Sequence, residues 1–291
     1  MILIDFSQIM MANLMVMITR NQYDPVFFRH WVLNSIRQYN LDFRGKFGEI
    51  TICCDSPSWR KDYFPYYKMN RKKKRDSDDI DWTSVFQNFN ETIELIDDNF
   101  PYKILRVEQS EADDIIAVSV REFRSRSEEP ILIISSDKDF FQLKKHPNVK
   151  QYCPRTKKYI NEISDVEDVN NHLLEHIIKG DASDGIPNVF SDDDTFVNED
   201  KKQNRATKKR VEDLKEEMKA NNTNKYSSAI SRNTVLIDLD KIPDHIESKI
   251  LEHINKDRKG NMQKCFSYLL KNNYKELVKR IDDFQPIKYN G

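Results

Sequence analysis

Three apolar runs in this 291-residue chain end in aspartate: Met1–Ile4 leads into Asp5, Ile50–Cys54 into Asp55, and Ile131–Ile134, through two serines, into Asp137 and Asp139. A fourth acidic group, Glu111, Asp113 and Asp114, stands at the start of a segment with helical apolar spacing. Short runs of branched apolar residues fit fully buried strands of a parallel sheet. In such a sheet all strand ends lie on one edge, where open α/β sheets bind ligands. Seven carboxylates would then share one small region, where two unit charges ~4 Å apart at an effective dielectric of ~20 repel by about 4 kcal/mol. Bound cations relieve that repulsion, and oxygen-only ligands point to Mg²⁺ or Mn²⁺ rather than zinc. Each acid alone reads equally well as a helix cap or a solvated charge; the set reads as a metal centre.

Metals held by carboxylates act chiefly on phosphate esters, with one ion activating water and both stabilising the developing charge. A second feature supplies the complement. Residues 60 to 75 carry eight basic side chains (Arg60, Lys61, Lys68, Arg71, Lys72, Lys73, Lys74, Arg75) against one acid, Asp62, with Trp59, Tyr63, Phe64, Tyr66 and Tyr67 interleaved. Cations for phosphates and ring faces for unpaired bases are what a nucleic acid requires. The plainer reading is a solvated charged helix or a localisation tract.

The elements that must position these groups follow the same order. Strands are expected at Met1–Asp5, Glu49–Asp55, Tyr102–Val107 and Ile131–Ser136, with a short pair near Val149–Cys153 and Lys158–Ile160. Core helices fall between them, over Ile9–Ile18, Phe27–Tyr39 and Trp82–Phe100. Ser110 is placed as the N-cap of the next helix, with Asp113 at the capping-box position. Alternating strands and helices imply an α/β fold with a mostly parallel central sheet flanked by helices. Residues 57 to 81, punctuated by Pro57 and Pro65, look like an excursion from that domain with no core of its own. Val166–Gly180 reads as a helix closed by glycine. Ser191–Asp200 looks disordered, with a linker near 190 to 205, and helices are expected at about 243 to 256, 260 to 271 and 274 to 283. The division expected is an α/β domain over 1–185 and a mainly helical region over 186–291.

Several classes are disfavoured. Lysine plus arginine number 47 and aspartate plus glutamate 48, so the net charge of −1 conceals segregated charge. Cys53, Cys54, Cys153 and Cys265 form no C-x-x-C pair and read as reduced, intracellular thiols. Six glycines and no G-x-G-x-x-G argue against a nucleotide cradle. His172 and His176 lack the glutamate of H-E-x-x-H, and no histidine stands near the strand ends to activate a serine or cysteine. Apolar runs are too short for a membrane span.

Taken together, Leu3-Ile-Asp-Phe-Ser7, Cys54-Asp55, Trp59-Arg-Lys-Asp62, Tyr66-Tyr-Lys68, Glu111-Ala-Asp-Asp114, Ile133-Ile-Ser-Ser-Asp-Lys-Asp139 and Lys179-Gly-Asp-Ala-Ser-Asp-Gly-Ile-Pro187 resemble the flap endonuclease, or 5′-nuclease, family, and within it the ribonuclease H group of T-even-type bacteriophages. The resemblance spans nearly the whole chain. It implies a PIN-like nuclease that removes RNA primers and adjacent DNA 5′ to 3′ during replication and cuts 5′ flaps with two Mg²⁺ ions, Mn²⁺ being a substitute. By motif, Asp5, Asp55, Glu111, Asp113, Asp137 and Asp139 would form the inner metal cluster with Asp114 close by. Asp184, assisted by Asp181, would serve the outer metal site. Arg60 and Lys68 would contact the scissile phosphate from an arch over 57–81 and Tyr67 would stack on a base, with Arg71, Lys72, Lys208 and Lys209 as further nucleic-acid contacts. Flapped, nicked or forked DNA and RNA–DNA duplexes are the implied substrates. A single-stranded-DNA-binding protein and a sliding clamp are the implied partners, the host cytoplasm the compartment, and a monomer the state.

The chain departs from the family after Ile186-Pro187, where Asn188-Val-Phe-Ser-Asp-Asp-Asp194 replaces a second glycine-rich turn that elsewhere binds duplex phosphates, sometimes with potassium. Lys201, Lys202, Arg205, Lys208, Lys209 and Arg210 are the expected replacement. With the first strand starting at residue 2, no N-terminal tail is expected to carry a clamp-binding motif. Two other readings remain: a small-molecule phosphohydrolase with an aspartyl nucleophile, and a non-catalytic nucleic-acid-binding replication factor. Phe140 stands where such phosphatases place Thr or Val after Asp-x-Asp. Acids intact at every matched position argue against a non-catalytic role.

Overall fold

The computed structural model describes residues 1–160, 166–220 and 225–289. In chain order these form β1 (Ile2–Asp5), α1 (Phe6–Thr19), α2 (Pro25–Phe47), β2 (Ile50–Cys54), α3 (Arg60–Tyr63), α4 (Met69–Asp76), α5 (Trp82–Asn99), β3 (Lys103–Arg106), α6 (Ala112–Arg126) and β4 (Ile131–Ile134). After a 3-10 turn over Lys138–Lys145 come β5 (Val149–Cys153), β6 (Lys158–Tyr159), α7 (Val166–Lys179), α8 (Lys208–Lys219), α9 (Ser227–Ile237), α10 (Asp244–Ile254), α11 (Met262–Lys271) and α12 (Lys275–Val278). The chain is organised as two compact units. One comprises Met1–Pro57, Thr83–Glu162 and His245–Gly291, the other Ser58–Trp82 and Ile163–Asp244.

The first unit is built on a six-stranded sheet in the order β3-β2-β1-β4-β5-β6, parallel except for β6. β1, β2 and β4 are buried at every residue, the environment that the branched apolar runs require. In register, Asp5 lies opposite Cys53 and Ile4 opposite Ile134, which sets Asp55 and Asp137 just past the same edge. The chain goes from β1 to one side and returns through β4 on the other, so this edge is a topological switch point. Asp24 caps α2, accepting from the Phe27 amide at 2.8 Å with Pro25 in the first turn, and Gly48, at φ +81°, ends it.

The second unit packs α7 against α8 and α9 around two apolar clusters. One holds Phe64, Tyr67, Ile177, Ile186, Leu236 and Ile237, the other Ile178, Val189, Phe190, Val211 and Leu214. Each fully buried aliphatic or aromatic side chain contributes roughly 1.5–3 kcal/mol, enough to fix short helices that would not persist alone.

Three expectations are corrected here. The 57–81 segment is no coreless excursion, because Phe64 and Tyr67 are part of a core. A cut at residue 185 does not follow the packing either. The 58–82 segment belongs with α7–α9, whereas α10 onward rejoins the sheet unit, where Asn40 Nδ2 donates to the carbonyls of Asp283 (2.7 Å) and Gln285 (3.0 Å) and the Tyr102 hydroxyl to that of Phe284 (3.1 Å). Thirdly, the acidic stretch after Pro187 is ordered. Asn188 donates to the Asn204 carbonyl at 2.8 Å and accepts from Phe190 N at 3.0 Å, while Arg232 pairs with Asp193.

Candidate metal centre and basic segment

Asp5 is the last residue of β1 and only 7% exposed. Its Oδ2 accepts from the Ser135 hydroxyl at 3.0 Å and its Oδ1 from Gln8 N at 3.3 Å. Burial, then the neighbouring carboxylates of Asp55 and Asp137, push its pKa up to about 7, against the lowering effect of those two hydrogen bonds. Asp55 Oδ1 accepts from Ala112 N at 2.7 Å, tying the end of β2 to the first turn of α6, where the helix dipole favours negative charge. Asp137 Oδ1 accepts from Asp139 N at 3.0 Å and Gln151 Nε2 donates to the Asp137 carbonyl at 2.6 Å, fixing the turn that carries both acids.

At α6 the sequence expectation is off by one. Glu111, not Ser110, is the N-cap, and Asp114, not Asp113, closes the capping box, accepting from Glu111 N at 3.0 Å. Glu111 and Asp114 thus each accept from the other's backbone N–H, and Asp113 lies between them at the start of the helix, beside the Asp55 contact.

Seven of the nine predicted acids lie in the sheet unit. Asp181 and Asp184 lie in the second unit, on the turn from Gly180 to Pro187. Gly180 has φ +66°, and a Cβ there would fall 2.4 Å from the Ile186 carbonyl oxygen, so only glycine permits the turn. Asp181 Oδ1 accepts from Ser183 N (2.8 Å) and Oγ (2.6 Å), and its Oδ2 lies 3.4 Å from His176 Nε2. Asp184 Oδ2 accepts from the Tyr67 hydroxyl at 3.1 Å and lies 3.5 Å from Lys68 Nζ, and Oδ1 pairs with Arg71. Lys68 N donates to the Asp184 carbonyl at 2.7 Å, Asn70 Nδ2 to that of Ala182 at 2.7 Å and Arg71 Nε to that of Ser183 at 2.9 Å. The basic segment is therefore clamped onto the acidic turn.

This placement alters several assigned roles. Tyr67 is 3% exposed, with no open ring face for a base. Arg60 is equally buried, and its Nε donates to the Leu236 carbonyl at 2.9 Å. Lys68 and Arg71 are engaged by Asp184. Lys72, Lys208 and Lys209 are exposed. Residues not singled out from sequence also matter. Ser135, fully buried, donates to Asp5 while accepting from Asp137 N at 3.0 Å, and its position at the end of a buried strand, two residues before Asp137, was the available signal. Arg232 and Asn233 each donate to the Pro187 carbonyl at 3.0 Å, anchoring the acidic turn, and no local pattern marks them.

The chain belongs to the 5′–3′ exonuclease family, whose N-terminal resolvase-like domain matches residues 1–173. Residues 168–284 match the C-terminal domain of T4 RNase H. Among relatives, the ribonuclease H of Enterobacteria phage T4 is 33% identical over 293 residues, covering 97% of this chain and 95% of that protein. The fold resembles the bacteriophage T5 5′-exonuclease solved with zinc (TM-score 0.60, 17% identity, 87% of this chain and 97% of that one). It also resembles the T5 flap endonuclease solved with DNA and metal ions (TM-score 0.57, 18% identity, 88% and 99%). The chain is accordingly an enzyme, a phosphodiester hydrolase. Among the described residues no helix is long and apolar enough to cross a membrane.

Proposed function

We propose that the chain is a Mg²⁺-dependent 5′-to-3′ exonuclease and 5′-flap endonuclease that removes RNA primers and adjacent DNA from duplexes during replication. One observation carries the reading: parallel register brings Asp5, Asp55 and Asp137 to one edge of the sheet, with the buried Asp5 carboxylate held by Ser135 and Gln8, and divalent cations would relieve the repulsion among such like charges. Asp5, Asp55, Glu111, Asp113, Asp137 and Asp139 would hold the ions, which when bound lower the pKa of a water and stabilise charge on phosphate oxygens. Ser135 and Gln8 orient Asp5, Asp114 fixes the start of α6, and the exposed Lys72, Lys208 and Lys209 hold backbone phosphates. For Asp184 to serve a second ion with Asp181, Lys68 and Arg71 would have to leave it, which would free both for phosphate. Flapped, nicked and forked DNA and RNA–DNA hybrids are the proposed substrates. The chain would act as a monomer in the cytoplasm of an infected host, with a single-stranded-DNA-binding protein and a clamp as partners.

The test is cleavage of a 5′-labelled RNA–DNA hybrid and a 5′-flapped duplex. Short labelled products are expected with Mg²⁺ or Mn²⁺ and none with chelator. Release that persists in chelator, or digestion from the 3′ end, would overturn the reading.

A further inference from the structure

The amino-terminal edge of the sheet, opposite the edge that carries the acids, opens into a cavity of about 460 Å³ within the first unit. The starts of β2 and β3 line it, together with one face of α6 and the segment after α10. Ser119, Glu122, Phe123 and Arg126 recur at helical spacing along that face. Phe123, Leu105 and Ile254 supply apolar surface.

Five cations line the cavity against three acids, Glu49, Glu122 and Asp257. Arg126 pairs with Glu122, Arg258 lies 3.6 Å from Glu49, and Lys256 lies 2.9 Å from Glu252, which is not a lining residue. Lys103, whose Nζ donates to the Ile254 carbonyl, is desolvated enough for its pKa to be lowered, and Lys288 stands exposed near the chain's end. The surplus is positive. Ser119 is 3% exposed, yet its Oγ has no hydrogen-bond partner among the described residues. A buried hydroxyl left open costs about 1–3 kcal/mol unless something occupies the cavity beside it.

We propose that this cavity binds a nucleoside 5′-monophosphate, with the base against Phe123 and Ser119 and the phosphate met by Lys103 and Lys288. The volume suits a nucleotide, and inorganic phosphate would leave the apolar walls uncovered. Only the source of the ligand rests on the nuclease reading, because hydrolysis of a phosphodiester strand releases such nucleotides. Binding itself does not.

Calorimetric titration of the full chain with dAMP in chelator, with deoxyadenosine and inorganic phosphate as controls, tests the proposal. A Kd on the order of 0.1–1 mM is expected for dAMP. Each control should bind about tenfold more weakly or not at all. Ser119→Leu, which fills the cavity, and Lys288→Gln, a surface change that leaves folding intact, should each weaken dAMP binding several-fold, while Asp137→Asn should not. Absence of binding at ~10 mM dAMP, phosphate binding as well as dAMP, indifference to Lys288→Gln, or loss in Asp137→Asn would overturn it. If dAMP binds as expected but no substrate is cleaved, the nuclease reading fails and this one stands.

Discussion

Two acidic sites in this molecule begin from similar sequence and end in opposite electrostatic states. At the sheet edge, Asp5 accepts hydrogen bonds from neutral groups and faces two further carboxylates. On the Gly180–Pro187 turn, Asp184 is met by Lys68, Arg71 and the Tyr67 hydroxyl, and Asp181 by His176 and Ser183. The first arrangement concentrates negative charge and the second balances it. The difference shows that an acid's role is set by what the fold lays over it, and that an acidic motif alone does not separate a ligand from an anchor.

The largest expected effect separates the two sites directly. Asp137→Asn should reduce cleavage by about 10³-fold or more, because it removes a charged oxygen from the cluster, while nucleic-acid affinity in chelator stays within about twofold. Asp184→Asn should leave more activity than Asp137→Asn. Equal losses in single-turnover assays would mean that both acids are metal ligands of the same importance and would erase the contrast.

A second effect follows from the raised carboxyl of Asp5. Its folded pKa, about 7, exceeds the 3.8 of an unperturbed aspartate, so between these values the folded state binds more protons than the unfolded state. The stability it contributes is fully present below the unfolded pKa and is lost as pH rises through about 7. Chelated protein should therefore melt at lower temperature at pH 8 than at pH 6, and Asp5→Asn should remove part of that dependence, a difference of about 1 kcal/mol. Mg²⁺ should raise the melting temperature of the native chain more at pH 8 than at pH 6. A melting profile that Asp5→Asn leaves unchanged would deny the like-charge crowding.

The two regions also differ in how far they could be read in advance. Apolar runs ending in Asp5, Asp55 and Asp137 announce strands and an edge, because strand burial and parallel register are both encoded locally. Ser135 escaped notice because a serine at the end of a strand has no fixed meaning. In the basic segment the decisive partners are remote. Tyr67 meets Asp184 across 117 positions and Arg60 meets Leu236 across 176, so no local pattern shows that an aromatic, cationic stretch is half core and half anchor. The same long-range packing returns α10 onward to the sheet unit, against the expected cut at residue 185.

Asp184→Asn then probes the clamp by itself. It removes the charge that Lys68 and Arg71 share, in a partly exposed setting where such pairs contribute on the order of 1 kcal/mol. Amide exchange over residues 66 to 72 should quicken several-fold while exchange in β1 and β4 is unchanged. If the segment keeps its protection, the backbone bonds from Lys68 N to the Asp184 carbonyl and from Asn70 to the Ala182 carbonyl are sufficient to hold it, and the carboxylate is not the anchor.

The smallest effect concerns cations that, among the described residues, no acid engages as Asp184 engages Lys68. Lys208 and Lys209 open α8, immediately after its Thr207 cap, where an exposed ammonium gains nothing from the helix dipole. Placing two lysines there is mildly unfavourable for the helix, so their use must lie in what they meet from outside. If each neutralises one duplex phosphate, replacing both by glutamine should lower the slope of log affinity against log salt by about 2 and weaken binding several-fold at low salt. Cleavage rate at saturating substrate should hold, because neither side chain lies in the unit that carries Asp5, Asp55 and Asp137, and α8 itself should become slightly more stable. An unchanged salt slope would assign the duplex contact to other cations, leaving Lys72 and the residues that Asp184 now holds.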